Sequence, residues 1–276
     1  MPYDIPVRED GRTLVMGVLN VTPDSFSDGG EYLAPADAVA RGQELIAQGA
    51  DIVDIGGEST RPGATRVSTA EEIDRTISVV SGLRDQGAVI SIDTMRAEVA
   101  RLAVENGAGI VNDVSGGLAD EAMLETVAEL NVPYVIMHWR AHSEQMEQFT
   151  HYDDVVTEVC EHLATRAQAA QAVGVKNSKI IVDPGLGFAK RPEHNWKLLR
   201  HFDDLKKMGH PILVGASRKR FLRNAVSEPG AKPREFDDLA AATDAVSALT
   251  AHAGAWAVRV HDVPGTIDAV TIANYL

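Results

Sequence analysis

Short apolar runs alternate with longer amphipathic stretches along the whole chain, and the alternation is regular. The first run, Leu14 to Leu19, is too short for a helix. Its aliphatic and β-branched residues suit a strand buried on both faces. At Asn20 the chemistry changes abruptly. Asn20, Thr22, Asp24, Ser25, Ser27 and Asp28 follow, with Pro23 among them and a Gly29-Gly30 stop. Pro35 to Gln48 then has helical spacing, with Ala36, Val39, Ala40, Leu45 and Ile46 on one face and a stop at Gly49. The same event recurs. Further strands are predicted at Asp51–Ile55, Ala88–Ile92, Gly109–Val111, Pro133–Met137, Lys179–Val182, Pro211–Val214 and Ala255–Val258. Helices are predicted from a capping-box sequence at Ser68–Glu71 to about Asp85, and over Met95–Asn106, Asp120–Leu130, Asp153–Val173, Glu193–Met208, Phe236–Ala253 and Thr266–Leu276. Two longer polar segments interrupt the pattern, Ala141–Tyr152 and the Pro/Gly-bearing Ser227–Arg234.

Eight strands alternating with eight helices, strand first, imply a parallel sheet. The count and the 276-residue length fit an α/β fold of one domain, a closed (β/α)8 TIM barrel over residues 13–276 with a loose leader at residues 1–12. The rival is an open doubly wound sheet of six strands. No Gly-x-Gly-x-x-Gly opens a helix after the first strand, which weakens that alternative.

Composition changes the picture mainly by exclusion. Lys+Arg is 26 against Asp+Glu 40, a net charge of −14, which argues against nucleic acid or an anionic membrane as partner. The N-terminus has no apolar core of a signal peptide, and no apolar run approaches the roughly 20 residues that span a bilayer, so a cytoplasmic protein is expected. The single cysteine, Cys160, lies in a helical stretch, where packing is the expected role.

In such barrels the chemistry gathers where strands end and βα loops begin. Every strand here ends in a polar group: Asn20, Glu58-Ser59-Thr60-Arg61, Asp93, Asn112, His138, Asp183, Ser217-Arg218-Lys219, and Arg259 with His261. One such residue is ordinarily a helix cap. A full rim of them is a binding site. Asp93, Asn112 and Asp183 offer acceptors and an amide from three strand ends, suited to the edge of a flat heterocycle. The two carboxylates could equally serve as general acid and base, or bind a hard cation. Arg61, Lys219, Arg259 and His261 form a cationic set. Arg259 and His261 are two apart on a strand and point the same way, and arginine grips phosphate bidentately. A polyphosphate-like anion is the expected ligand, with a divalent metal held by Asn20. His138 and His142 sit in loop sequence, which makes a zinc pair a poor expectation. Trp139, Trp196 and Trp256 read as packing residues.

Taken together, the loops resemble the dihydropteroate synthase family. The matching stretches are Met16 to Gly30 (MGVLNVTPDSFSDGG), Asp54 to Gly63 (DIGGESTRPG), Ser91 to Thr94 (SIDT), Asn112 to Gly117 (NDVSGG), Asp183 to Phe188 (DPGLGF), Ala216 to Lys219 (ASRK) and Arg259 to Val263 (RVHDV). They lie in order over almost the whole chain, and the first two are highly specific. The resemblance implies a homodimeric (β/α)8 barrel. Its small-molecule substrates would be 6-hydroxymethyl-7,8-dihydropterin pyrophosphate and p-aminobenzoate, joined with release of pyrophosphate in the presence of Mg²⁺. It implies Asp93, Asn112, Asp183 and Lys219 for the pterin, and Asn20, Arg61, Arg259 and His261 for the pyrophosphate, with Asn20 on the metal. Phe26, Thr60, Pro62, Phe188, Ser217 and Lys219 would shape the p-aminobenzoate pocket, and Lys219, Arg61 and Asp93 would form the catalytic set. The implied chemistry is SN1-like, with a pterin-methylene cation awaiting the aniline nitrogen. Leu186 stands where the family often has Phe. No Phe-Gly insertion interrupts the second loop, so sulfonamide sensitivity is expected.

Three other readings are weighed. A pterin-dependent methyltransferase-type barrel would share the Asp/Asn set but would not need the Thr60–Gly63 or Ser217–Lys219 signatures, both present here. An inert pterin-binding paralogue would be expected to carry a damaged loop, and both loops look whole. Without the resemblance, the residues support a phosphate-binding barrel enzyme. The helices after the sixth to eighth strands are the expected dimer surface.

Overall fold

The architecture was established from a computed structural model, which describes residues 4–22, 35–58, 66–142, 145–227 and 233–276. Eight parallel strands form one sheet: β1 (Leu14–Asn20), β2 (Ile52–Gly56), β3 (Val89–Asp93), β4 (Ile110–Asp113), β5 (Tyr134–Met137), β6 (Ile180–Asp183), β7 (Leu213–Val214) and β8 (Ala257–Val260). Strands β1 to β6 pair each with its sequence neighbour, and β8 pairs with both β7 and β1. A single bridge, Val182 to Ile212, joins β6 to the start of β7 and closes the ring. The open-sheet alternative is thereby excluded. The expected TIM barrel is the fold.

Helices alternate with the strands on the outside: α1 (Pro35–Ala47), α2 (Thr69–Leu83), α3 (Ala97–Glu105), α4 (Met123–Leu130), α5 (Val155–Ala172), α6 (Pro192–Arg200), α7 (Phe202–Lys206), α8 (Arg220–Val226), α9 (Ala240–His252) and α10 (Val263–Ala273). Of the capping box expected before α2, the N-cap half is present, with the Ser68 side chain accepting from the Glu71 N–H, while the Glu71 carboxylate pairs with Arg75. The single helix expected over Glu193–Met208 breaks at His201, whose ψ of 37° leaves the helical region. His201 then starts α7, its ring 3.2 Å from the Asp204 carboxylate, and Phe202 turns into the core. Helix α8 was hidden in sequence, because its seven residues between Lys219 and Ser227 are too few to show a helical period.

Strand periodicity sorts side chains into two layers. Leu14, Met16, Ile52, Ile110, Val135, Ile181, Leu213 and Ala257 fill the barrel axis. Their sequence neighbours, such as Val15, Val53, Ile55, Ile92, Val111 and Val258, pack under the helices in a far larger cluster. Burying one such side chain stabilises by roughly 1.5–3 kcal/mol. The layer under the helices therefore supplies most of the hydrophobic stabilisation, and the axis can give up its upper positions to polar groups.

The loose leader is a correction for residues 4–12. Arg8 and Arg12 both pair with Asp51, at 2.8 and 3.1 Å. The Trp256 indole donates to the Pro6 carbonyl at 2.8 Å, and Ile5 packs on the axial cluster. This segment caps the end of the barrel opposite the βα loops. Its polar, Pro-containing sequence carries no periodicity that would have revealed the contact.

Candidate functional site

The inward-facing columns of β1, β3, β4, β6 and β8 end in polar groups at the loop end of the barrel. Register makes this explicit. Asn20 lies level with Gly56, Gly56 with Asp93, and Asp93 with Asn112, a row across four adjacent strands. One step down, Asp54 lies level with Ser91. Asp183 is level with Met137. The same parity puts Arg259 and His261 inward from β8.

Arg259 organises the centre. Its Nε donates to Asp54 Oδ2 at 2.6 Å and its second amino group to Asp93 Oδ2 at 2.7 Å. Asn112 Nδ2 also donates to Asp54 Oδ2, at 3.1 Å. Four strands are thus tied by one cation, two carboxylates and an amide. Burial pushes the Asp93 carboxyl above the usual carboxylate range, with Arg259 opposing and Asp54 adding to it. Asp54 was overlooked as a site residue. It is fully buried, and its Oδ1 has no hydrogen-bond partner among the described residues, nor has the neighbouring Ser91 hydroxyl. An acidic residue at an inward position of an otherwise apolar strand (Ile52, Val53, Ile55) was the signal that could have found it.

Asp183 and Lys219 form the opposite wall. Burial raises Asp183, and Lys219 opposes the rise. Burial draws the Lys219 ammonium down to about 8, against the pull of Asp183. Lys219 donates to the Leu186 carbonyl and sits 4.3 Å over the Phe188 ring. The loop it grips is folded tightly. Asp183 Oδ1 accepts from the Gly185 N–H at 2.7 Å, and Asn195 Oδ1 accepts from the Gly187 N–H at 2.6 Å. Both glycines have positive φ, 66° and 79°. A Cβ on Gly185 would meet the His138 carbonyl oxygen at 2.6 Å, and one on Gly187 would meet Lys219 Cδ at 2.5 Å.

Ser217 is buried beside His261. Its hydroxyl lies 3.0 Å from His261 Nδ1 and accepts from the His261 backbone N–H at 3.3 Å. Of the cluster Arg218-Lys219-Arg220, only Lys219 turns inward. Arg218 pairs with Asp237 at 3.0 Å, and Arg220 with Glu147.

The stem of the second loop is pinned beside Asp93. Glu58 pairs with Arg66 at 3.1 Å and with Arg96 at 2.8 Å. Buried Glu72 accepts from Thr94 at 2.6 Å and from Arg96. Burial raises Glu72, and those two donors offset part of the rise.

Thus Asn20, Asp93, Asn112, Asp183, Phe188, Ser217, Lys219, Arg259 and His261 stand at one end of the barrel. Phe26, Thr60, Arg61 and Pro62 lie outside the described residues. His138, included in the rim by sequence, is a correction. It follows Met137 and therefore faces away from the axis, 2.9 Å from Lys190 Nζ and edge-on to His162 on α5. His142 packs instead on Trp139, so the two histidines go to separate partners. Burial raises the Cys160 thiol, which suits packing and not nucleophilic attack.

A family described as pterin binding enzyme matches residues 16–261. Dihydropteroate synthase from Mycobacterium leprae is 52% identical over 261 residues, covering 94% of this chain and 92% of that protein. A dihydropteroate synthase structure from Xanthomonas albilineans, in complex with 7,8-dihydropteroate, superposes with a TM-score of 0.84 at 40% identity, covering 96% of this chain and 94% of the other. One from Yersinia pestis, with a sulfonamide drug complex, gives 0.90 at 35% identity over 99% and 98%. Seven motifs in order, a rim of matching chemistry and near full-length identity leave one conclusion: the chain belongs to the dihydropteroate synthase family of pterin-binding enzymes.

Proposed function

We propose that this enzyme joins 6-hydroxymethyl-7,8-dihydropterin pyrophosphate to p-aminobenzoate, forming 7,8-dihydropteroate and releasing pyrophosphate. The observation that carries the reading is the convergence of Asp93, Asn112 and Asp183 with Lys219, Arg259 and His261 at one barrel mouth. Acceptors that could line a pterin edge thus adjoin cations that could hold a leaving anion.

In this reading Asp93, Asn112, Asp183 and Lys219 hold the pterin. Arg259 and His261, with Arg61, hold the pyrophosphate. Phe26, Thr60, Pro62, Phe188 and Ser217 shape the aryl-amine pocket. Cleavage of the C–O bond to pyrophosphate comes first, assisted by the cations. The positive charge left on the pterin methylene faces Asp93 and Asp183. The aniline nitrogen then forms the C–N bond and gives up its proton. Mg²⁺ fits a sparse site: Asn20 offers one hard oxygen beside Asp93, and this ion takes much of its shell from water and substrate phosphates. When bound it would neutralise charge on the leaving pyrophosphate.

The enzyme is further proposed to act as a homodimer in the cytoplasm. Supporting the dimer, Leu249 on α9 is 70% exposed and Ile272 on α10 is 64% exposed, and the two helices are joined by the Thr266–Asp244 hydrogen bond at 2.8 Å.

Pteroic acid spans both proposed pockets, so its displacement tests the reading. Bound pteroic acid should be released by a sulfonamide in competition with p-aminobenzoate. Binding of pteroic acid that no sulfonamide displaces would contradict the assignment of the aryl-amine pocket.

A further inference from the structure

A buried basic cluster lies behind the loop that carries Asp183 and Phe188, on the side away from the barrel axis. Lys190 is its centre. Its Nζ is enclosed by three atoms: His138 Nδ1 at 2.9 Å, the Gly185 carbonyl at 3.0 Å and the Phe188 carbonyl at 3.2 Å. An ammonium has three N–H donors and no acceptor. Three acceptors at hydrogen-bonding distance match it donor for donor, provided that His138 offers a lone pair at Nδ1. Burial, with Lys190 adjacent, holds His138 well below the ordinary histidine range, so the ring is neutral. Burial also draws Lys190 well below the ordinary lysine range; the Asp183 carboxylate opposes this, and the three acceptors within 3.2 Å of Nζ favour the ammonium form.

Two of the three acceptors belong to the loop Asp183–Phe188, and Lys219 holds the same loop from the site side through the Leu186 carbonyl. The loop is therefore clasped between two lysines on opposite faces. The outer clasp has its own support. His138 packs edge-on against His162, with ring centroids 4.8 Å apart. The Tyr152 hydroxyl donates to the Ala189 carbonyl at 3.0 Å, at a residue with φ of +46°. A buried lysine is costly unless something uses its charge. What a cation adds is a fixed spacing between the Gly185 and Phe188 carbonyls. That spacing fixes the Phe188 ring relative to Asp183.

We propose that Lys190 is a positioning residue for substrate binding: paired with neutral His138, it sets the conformation of the Asp183–Phe188 loop and through it the geometry of the pterin and aryl-amine pockets. The proposal rests on the function proposed above. Lys190 touches no substrate. Its effect passes through the Gly185 and Phe188 carbonyls, so it belongs in substrate affinity and not in proton transfer.

Three variants test this. Lys190→Met keeps the chain length and removes the cation. His138→Leu removes the Nδ1 acceptor, and His138→Asn returns an acceptor oxygen near the same place. Pteroic acid Kd, KM for p-aminobenzoate and Tm are measured for each, at a temperature well below every Tm. Lys190→Met and His138→Leu are expected to raise both Kd and KM at least tenfold, with kcat changed less than threefold. His138→Asn is expected to stay within about threefold of the wild type. A folded Lys190→Met protein with Kd and KM within threefold of wild type would overturn the proposal, even if its Tm fell. If Lys190→Met does not fold, the His138 pair decides: equal affinities in His138→Leu and His138→Asn would overturn it. Should the wild-type protein itself fail to bind pteroic acid, the functional reading falls first, and that outcome is separate from any difference among the variants.

Discussion

Lys219 is the residue at which stability and proposed function pull hardest against each other. Its ammonium is enclosed between Asp183 and Phe188, and burial lowers its affinity for protons to about 8 from the ordinary 10.5. Two consequences have definite signs. The form that serves an anionic substrate is the ammonium, so kcat/KM should fall as pH rises through about 8. Lys219→Arg should lose that limb, whatever its residual rate, because a guanidinium does not titrate there. For stability, the unfolded chain binds more protons than the folded one between about 8 and 10.5, so this residue's contribution improves as pH rises across that window. At neutral pH its burial is a cost. Lys219→Met should therefore abolish turnover yet raise Tm by a few degrees, at about 2–4 °C per kcal/mol for a chain of this size. A fall in Tm would show that the contacts to Leu186 and Phe188 outweigh desolvation. Residue identity carried much of this: Asn20, Asp93, Asn112, Asp183, Lys219, Arg259 and His261 all announce themselves as polar groups closing apolar runs. Asp54 and Ser91 did not, because they lie inside the strand and not at its end. His138 misled for a related reason. Position after a strand gives nearness to the rim, but the parity of the preceding residue decides which way the side chain turns.

The loop between β6 and α6 is the element where local backbone and chemistry are most tightly coupled. Its first residues are held by Asp183, its middle by Lys219 and Asn195, and its base by Lys190. Gly187 adopts φ of +79°, and a methyl there would fall 2.5 Å from Lys219 Cδ. The obstacle is a flexible side chain, so the substitution displaces the lysine more than it unfolds the loop. Gly187→Ala should cut kcat/KM at least tenfold, and Tm should drop by less than 5 °C, at about 2–4 °C per kcal/mol. An unchanged kcat/KM would mean that the position of Lys219 is not critical. Turn-forming glycines were visible in sequence; their clash partners were not, since these come from distant segments, the His138 carbonyl just after β5 and Lys219 in the loop after β7. Element boundaries show the same division. The long amphipathic helices α2 and α5 were legible from periodicity and caps. The break at His201 and the short helix α8 depend on burial of Phe202, Phe221 and Leu222 and, for α8, on the pairing of Arg220 with distant Glu147, none of which leaves a local pattern.

At the scale of the molecule, the barrel separates its two tasks by end and by layer. Apolar residues under the helices stabilise it, the segment 4–12 closes one end, and the polar ends of the inward columns serve the other. The (β/α)8 order was readable from alternation alone, while closure depended on the single bridge between Val182 and Ile212. On the outer faces of α9 and α10, Leu249 and Ile272 are both well exposed. If they form the proposed dimer interface, Leu249→Glu combined with Ile272→Glu should halve the mass seen by light scattering while leaving far-ultraviolet circular dichroism unchanged. A wild-type monomer, or a variant that remains dimeric, would place the interface elsewhere.

The central claim is that one barrel mouth exchanges pyrophosphate for an aryl amine on a pterin. Pyrophosphate release by the purified protein tests it most directly, with the pterin pyrophosphate, Mg²⁺ and p-aminobenzoate each omitted in turn. The account predicts sustained release only when all three are present, and loss of release in Arg259→Ala, whose side chain ties Asp54 to Asp93. Sustained release that proceeds equally well without p-aminobenzoate, or that survives Arg259→Ala undiminished, would contradict it.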